Sequence, residues 1–374
     1  MGKAGVYIHI PFCKSRCSYC DFATDVYRDS GAVERYVATL CFEISNFKSE
    51  ISDPIDTIYL GGGTPSLLAP EQVERILKFA GETFDIAMNA EVTMEMNPAT
   101  VTAKTLAAYR ELGVNRASFG VQTFNDQDLK LLARGHDADD ARTTFQLLRA
   151  AGFANVSFDL IAGLPGQTMA GWKANLVEAI SLSPEHISLY LLEIHEGTPL
   201  AEQVRSGRRQ AIDDELAAEM YEVMLDRLAA AGYEQYEISN FSRPDFQSRH
   251  NTKYWRLDPV YGFGVSAHSF NGIERYANER DTARYVDMIE ATGSAEVSRE
   301  VIDHASEYTF LGLRLEDGVN LADYRHRYGV DLLEKYSDAL NDLQYNGLIE
   351  IGDERLRLSR KGKLFSNEVF AVFV

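Results

Sequence analysis

Six short apolar runs, each followed by an amphipathic stretch, leave this chain few ways to fold. The runs are 5–10, 57–60, 91–95, 116–120, 157–161 and 186–192. Between and after them, helical periodicity predicts helices near 33–46, 70–79, 103–112, 139–151, 172–180 and 212–230. Such alternation calls for parallel strands joined by crossover helices. Six units fall short of the eight that close a full barrel. The expected fold class is therefore α/β: an open, partial (β/α)6 TIM-like barrel. Its ligands should gather at the carboxyl ends of the strands.

The character changes after Gly232. Residues 236–300 form an aromatic, Gly-containing connecting segment with weak periodicity, following a barrel region at 1–235. Residues 301–374 read as a small C-terminal winged-helix-like α+β module. Its helical patterns lie near 308–312, 322–328 and 332–343, and a short strand pair at 348–351 and 355–358 is split by Gly352 and Asp353. The full 374 residues suffice for one large domain and a smaller one.

Where the first strand ends, three cysteines follow in C-x3-C-x2-C spacing: Cys13, Cys17 and Cys20. A disulfide is a poor reading, because three is odd and such close neighbours close strained loops. Structural zinc wants four ligands; His9 would be the fourth, but it precedes the loop. Three thiolates can instead hold three irons of a [4Fe–4S] cluster and leave the fourth iron open to a small molecule. Cys41 falls in a helical pattern and reads as a buried apolar residue. The next strand ends in Gly61-Gly62-Gly63-Thr64-Pro65, where consecutive glycines let a ligand approach backbone N–H and C=O groups.

Charge narrows the partners. A formal charge of −19 makes the chain a poor binder of phosphate backbones, so nucleic acid is not an expected partner. The basic residues Arg355, Arg357, Arg360, Lys361 and Lys363 could form a solvated face, or meet a partner or an anionic lipid surface. No run is long and apolar enough for a spanning helix, and the chain enters its first strand without a secretory signal. Few cysteines, three of them clustered, suit a reducing cytoplasm. The expected location is cytoplasmic, with the basic run as a candidate contact to the inner face of the membrane.

Cysteine loop and glycine run together resemble the radical S-adenosylmethionine (SAM) proteins. The string Tyr7-Ile8-His9-Ile10-Pro11-Phe12-Cys13 with Tyr19-Cys20-Asp21-Phe22 is similar to the branch that holds oxygen-independent coproporphyrinogen III oxidases and haem chaperones. The resemblance implies that Cys13, Cys17 and Cys20 ligate a [4Fe–4S] cluster. It further implies that SAM lies against Tyr7, Gly62, Gly63, Thr64, Glu95, Gln122, Arg134 and Asp159. Residues 164–168 read first as a structural strand-to-helix loop with Thr168 near a helix start.

His250-Asn251-Thr252-Lys253-Tyr254-Trp255 resembles the HNxxYW pattern of the haem chaperones. Haem would take an axial imidazole and flat apolar neighbours, which makes His250, Tyr254 and Trp255 candidate haem contacts and His268 a second candidate ligand. The alternative is a packing corner, with His250 and Asn251 at a turn and Trp255 in the core. In the oxidases the cysteine run continues two positions further; here that position is Phe22. The expectation is a haem-handling protein that delivers haem to acceptors such as respiratory enzymes, with a homodimer among its forms. The competing expectation is radical decarboxylation of a porphyrinogen.

Overall fold

A computed structural model describes residues 3–27, 29–47 and 53–374. Six parallel strands stand side by side in chain order: β1 (Ala4–Ile10), β2 (Ile55–Gly62), β3 (Ile86–Met96), β4 (Arg116–Gln122), β5 (Val156–Ala162) and β6 (His186–Leu191). Helices Ser30–Asn46, Pro70–Thr83, Ala103–Glu111, Ala138–Ala150 and Met169–Leu182 return the chain between them. The α/β partial barrel is thus present. Its helix starts are written locally, because Asp29, Thr102, Asp137 and Thr168 each accept a first-turn N–H. Thr168 confirms the structural reading of its loop.

The sheet does not end at six strands. β7 (Glu234–Glu237) and β8 (Asn240–Ser242) continue it antiparallel beyond β6. On the other side β9 (Val260–Phe263) pairs parallel with β1, followed by antiparallel β10 (His268–Phe270), β11 (Glu274–Asn278) and β12 (Glu296–Val301). Residues that read as weakly periodic therefore extend the barrel's own sheet. Their strands are three to six residues long, too short for a clear period-2 signal.

Parallel sheets are usually apolar on both faces. Here each strand alternates. Val6 and Ile8, Ile58 and Leu60, Met94 and Met96, Ala117 and Phe119, Phe158 and Leu160, and Ile187 and Leu189 pack outward into the helix layer. The alternate positions are Tyr7 and His9, Thr57 and Tyr59, Thr93 and Glu95, Arg116 and Ser118, Ser157 and Asp159, and His186, Ser188 and Tyr190. A full barrel of eight units fills its interior with branched apolar side chains. This interior is polar and aromatic, a lumen rather than a core.

The C-terminal module has its own core, built around Leu313, Tyr324, Leu332, Leu340, Leu356 and Phe370. Its antiparallel sheet holds three strands, Val319–Asn320, Arg355–Leu358 and Ile349–Gly352, one more than the sequence suggested. The turn between the last two is Asp353-Glu354, both with positive φ, and Gly352 belongs to the strand. The basic run is partly tied down by acids and carbonyls, while Arg360 and Lys361 stay exposed, as a solvated face would have them. Arg360 pairs with Glu222 and Asp226 of helix Asp214–Ala230, and Lys363 with Glu316. Arg355 and Arg357 donate to the Asp317 carbonyl. Glu237, fully buried, meets Arg314 at 2.6 Å and ties module to barrel.

Candidate functional site

The cysteine loop is pinned from several sides. Phe12–Cys13 pairs with Asp25–Val26 and closes the loop at its base. Ser18 donates to the carbonyls of Leu131 and Leu132, and the Ser18 carbonyl accepts from Leu200 N at 2.8 Å. His9 reaches the loop from below: Nε2 stands 2.9 Å from the Ala23 carbonyl, and Nδ1 stands 3.0 Å from the Tyr7 hydroxyl. Burial lowers its pKa, so the ring is neutral, with the Nε2 proton donated to Ala23 and Nδ1 accepting from Tyr7. Both ring nitrogens are therefore engaged, and a zinc site completed by His9 is not formed.

The thiols face donors. Thr64 Oγ1 lies 3.5 Å from Cys13 Sγ, and Arg134 Nη1 lies 3.5 Å from Cys17 Sγ. Asn97 joins the two: its Nδ2 donates to Thr64 Oγ1 at 2.8 Å, and its Oδ1 accepts from Arg134 Nη2 at 2.6 Å. The same guanidinium nitrogen reaches the Gly120 carbonyl at 2.7 Å. Asn97 was not legible as a site residue; its only signal is the strand-end string Glu95-Met96-Asn97-Pro98. Cys41 is buried at 3% exposure, away from this network, as its helical pattern required.

The glycine run forms a cradle. Gly62 has φ of +107°, and a Cβ there would stand 2.5 Å from His9 Cε1. A Cβ on Gly63 would stand 2.6 Å from the Pro11 carbonyl. Glu95 closes the cradle from β3, accepting from Gly62 N at 2.9 Å and from the Tyr59 hydroxyl at 2.7 Å. Burial, opposed by the Tyr59 hydrogen bond and reinforced by Asp159, pushes its carboxyl up to about 7. Asp159 is raised as well, by burial and against the hydrogen bond from Ser188. Gln122 ends β4 with φ of +67° and leaves its Oε1 without a partner. A non-glycine residue held there in the left-handed region stores strain.

The residues inferred for SAM thus converge on one rim. Gly62, Gly63, Thr64, Glu95, Gln122 and Arg134 lie at or just past the carboxyl ends of β2 to β4, and Tyr7 lies three residues before β1 ends. Asp159 lies deeper, three residues before β5 ends. The lumen below is open. Tyr190 and Tyr254 keep 42% and 40% exposure although desolvation raises both phenols.

His250, Tyr254 and Trp255 lie at the opposite end. Helix Arg249–Arg256 plugs the amino-terminal mouth of the barrel, capped by Ser248. Glu91 accepts from the backbone N–H groups of Arg249 and His250, and Asp56 pairs with Arg249 and Lys253. His250 is 1% exposed, with Nδ1 2.9 Å from Thr57 Oγ1 and Nε2 3.2 Å from the Tyr254 hydroxyl. Its ring stacks on Tyr59 at 5.0 Å. Trp255 packs near Tyr236, with ring centroids 6.1 Å apart. Haem ligation by His250 Nε2 requires Tyr254 to turn away. His268 is exposed on β10, toward the far edge of the sheet.

Three thiols at the rim of an open six-unit barrel, beside a glycine cradle and above a polar lumen, define the radical SAM class, and the Radical SAM superfamily matches residues 7–179. The HemN C-terminal domain matches residues 300–365. The heme chaperone HemW of Bacillus subtilis is 37% identical over 98% of this chain and 98% of its own length. That of Haemophilus influenzae is 31% identical over 99% and 97%. The chain belongs to the family of the heme chaperone HemW. The bovine radical S-adenosyl methionine domain-containing protein 1, mitochondrial, is 33% identical over 96% of this chain and 85% of that protein. The solved structure of coproporphyrinogen III oxidase (HemN) from Escherichia coli matches with a TM-score of 0.87, over 100% of this chain and 90% of that one. At 23% identity this likeness shows the fold.

Proposed function

We propose that this protein is a haem chaperone: it binds haem, carries a [4Fe–4S] cluster with SAM, and passes haem to acceptor proteins such as respiratory enzymes. The observation that carries the reading is end-to-end kinship with HemW proteins, 37% identity over 98% of both chains in one case. The donor set fits the cluster, because the sulfurs of Cys13 and Cys17 already face the hydroxyl of Thr64 and the guanidinium of Arg134. The cradle fits a ligand that approaches backbone, because a Cβ at Gly62 or Gly63 would fill it. Cys13, Cys17 and Cys20 would hold the cluster, and SAM on its open iron would supply reductive chemistry or a structural signal.

The chain's own residues do the rest. Arg134 and Thr64 place positive charge and a donor against the thiolates. Asn97 fixes both in orientation, and His9 holds the loop through Ala23. Glu95, poised near 7 by burial, can accept from an ammonium or a ribose hydroxyl at the cradle. The proposed cellular site is the cytoplasm, where thiols stay reduced.

The second reading, a coproporphyrinogen oxidase, is disfavoured by Phe22. It stands 67% exposed where the oxidase pattern has a further cysteine. Anaerobic protein with a reconstituted cluster should bind haem on titration, seen in the Soret band. With SAM, reductant and coproporphyrinogen III it should form no protoporphyrinogen. Robust turnover in that assay would establish the oxidase instead.

A further inference from the structure

The floor of the lumen holds a cation that the site described above does not use. Arg116 opens β4 and is 1% exposed, and its Nε has no hydrogen-bond partner. It shares a face with Ser118, while Ala117, Phe119 and Val121 point into the helix layer, so the guanidinium enters the lumen. Among the described residues no carboxylate pairs with it. A buried charge without a partner carries a penalty of several kcal/mol, and arginine is almost never buried alone.

Every nearby acid is engaged elsewhere or stands off. Glu91 accepts from the backbone amides of His250 and Arg249, at 3.0 and 3.2 Å. Glu95 is held by Tyr59 and Gly62, and Asp159, though within the field of Arg116, makes no ion pair with it. The two histidines of the floor supply no negative charge. His186 lies between Ser157 Oγ and the Tyr236 hydroxyl, at 2.7 Å from each, and His250 between Thr57 and Tyr254. Burial keeps both imidazoles neutral, helped by the field of Arg116 at His186 and by Lys253 and then Arg116 at His250.

A second unpartnered donor stands beside the guanidinium. Thr93 is the cross-strand partner of Arg116 on β3, is 0% exposed, and leaves its Oγ1 without a hydrogen bond. A planar guanidinium with an adjacent hydroxyl matches a carboxylate, which takes two parallel N–H donors and a third bond on its remaining lone pairs. Arg116 and Gln122 are six residues apart along β4, so the floor lies about 20 Å below the rim at the rise of a parallel strand. A cofactor seated at the cysteine loop therefore leaves Arg116 unpaired. The wall between offers flat faces: Tyr59 stacks on His250, and Tyr7 lies 6.4 Å from the same ring.

We propose that Arg116 and Thr93 form a carboxylate-binding subsite on the lumen floor, and that its ligand in this protein is a propionate of haem. The ligand's identity rests on the haem-chaperone reading; the subsite rests on the unpaired groups. The ring would stand along the tyrosine wall with its propionate end down.

The test compares haem with haem dimethyl ester, in which both propionates are blocked, on the full chain with its cluster reconstituted. Wild-type protein should bind haem about tenfold or more tightly than the ester, the size expected for a charged hydrogen bond. Arg116→Gln should lower haem affinity to that of the ester and leave ester affinity unchanged. Arg116→Lys should restore part of the difference. Iron and sulfide content report whether each variant is folded; if Arg116→Gln does not fold, Thr93→Val serves with the same expected loss of discrimination. Equal binding of haem and ester by the wild type overturns the subsite while leaving the chaperone reading intact. Discrimination that persists undiminished in a folded Arg116→Gln also overturns it. No haem binding by the wild type overturns the chaperone reading itself.

Discussion

The guanidinium of Arg134 donates from Nη1 to the sulfur of Cys17 across 3.5 Å. The two residues are 117 positions apart in the chain. Their meeting joins the loop after β4 to the loop after β1, and Asn97 extends the contact to Thr64 and Cys13. The thiols thus sit in a prepared electrostatic setting, with positive charge on one side and a hydroxyl on another.

Hydrogen bonds to cluster sulfurs raise the reduction potential. Arg134→Gln should therefore move the cluster midpoint to more negative values. One charged hydrogen bond of about 1.5 kcal/mol corresponds to about 60 mV for a one-electron couple. A redox titration followed by electron paramagnetic resonance measures it, and an unmoved midpoint would show that Arg134 does not act on the cluster.

Gly62→Ala strains the cradle twice. The backbone is in a region that side chains avoid, and the new methyl meets the His9 ring, 2.5 Å from Cε1. We expect a stability loss of about 1–3 kcal/mol and poor cluster retention, because His9 holds the cysteine loop through Ala23. Urea denaturation and iron content read the two effects separately. Gly152→Ala, whose Cβ meets nothing within 4 Å, is the control for backbone strain alone.

Glu237 is fully buried and its partner Arg314 comes from the start of the C-terminal module. Glu237→Ala leaves the guanidinium facing a vacated site and removes the acceptor of Ser239 N and Asn240 Nδ2. The expected loss is about 3–5 kcal/mol, with the module released from the barrel. Limited proteolysis should then cut between barrel and module, where the wild type resists.

His250 carries a pH signature. Burial first, then the charges of Lys253 and Arg116, lowers its pKa to about 3, against about 6.5 in the unfolded chain. The unfolded state thus binds the extra proton between those values. The contribution is fully present above pH 6.5 and is lost as pH falls toward 3. The stability of His250→Gln should therefore fall less steeply between pH 7.5 and 5 than that of the wild type. Parallel slopes in denaturant melts of the cofactor-free proteins would contradict a neutral buried His250.

The sequence was most legible where chemistry repeats along a strand or crowds into a loop. The strand runs and the cysteine triplet could both be read directly, whereas the alternation of Tyr7 and His9 with Val6 and Ile8 became a lumen face only in the structure. His250, Tyr254 and Trp255 were legible as a string but not as a place. The structure seats them at the barrel's floor, at the end opposite the thiols.

By itself the sequence determined the local terms: six strand–helix units, a helix start at Thr168, and a loop with three thiols and no fourth. Periodicity, side-chain hydrogen bonding to nearby backbone, and ligand count act over a few residues and need no knowledge of the remainder. Tertiary structure alone decided which polar groups are satisfied. His9 holds Ala23, Asn97 links Arg134 to Thr64, and Arg360 of the basic C-terminal run meets Glu222 and Asp226. Strand register sets Arg116 opposite Thr93, and no carboxylate among the described residues pairs with it. Hydrogen bonds and ion pairs are decided by separations of a few ångströms between residues far apart in the chain, and those separations exist only once the strands have been placed in register.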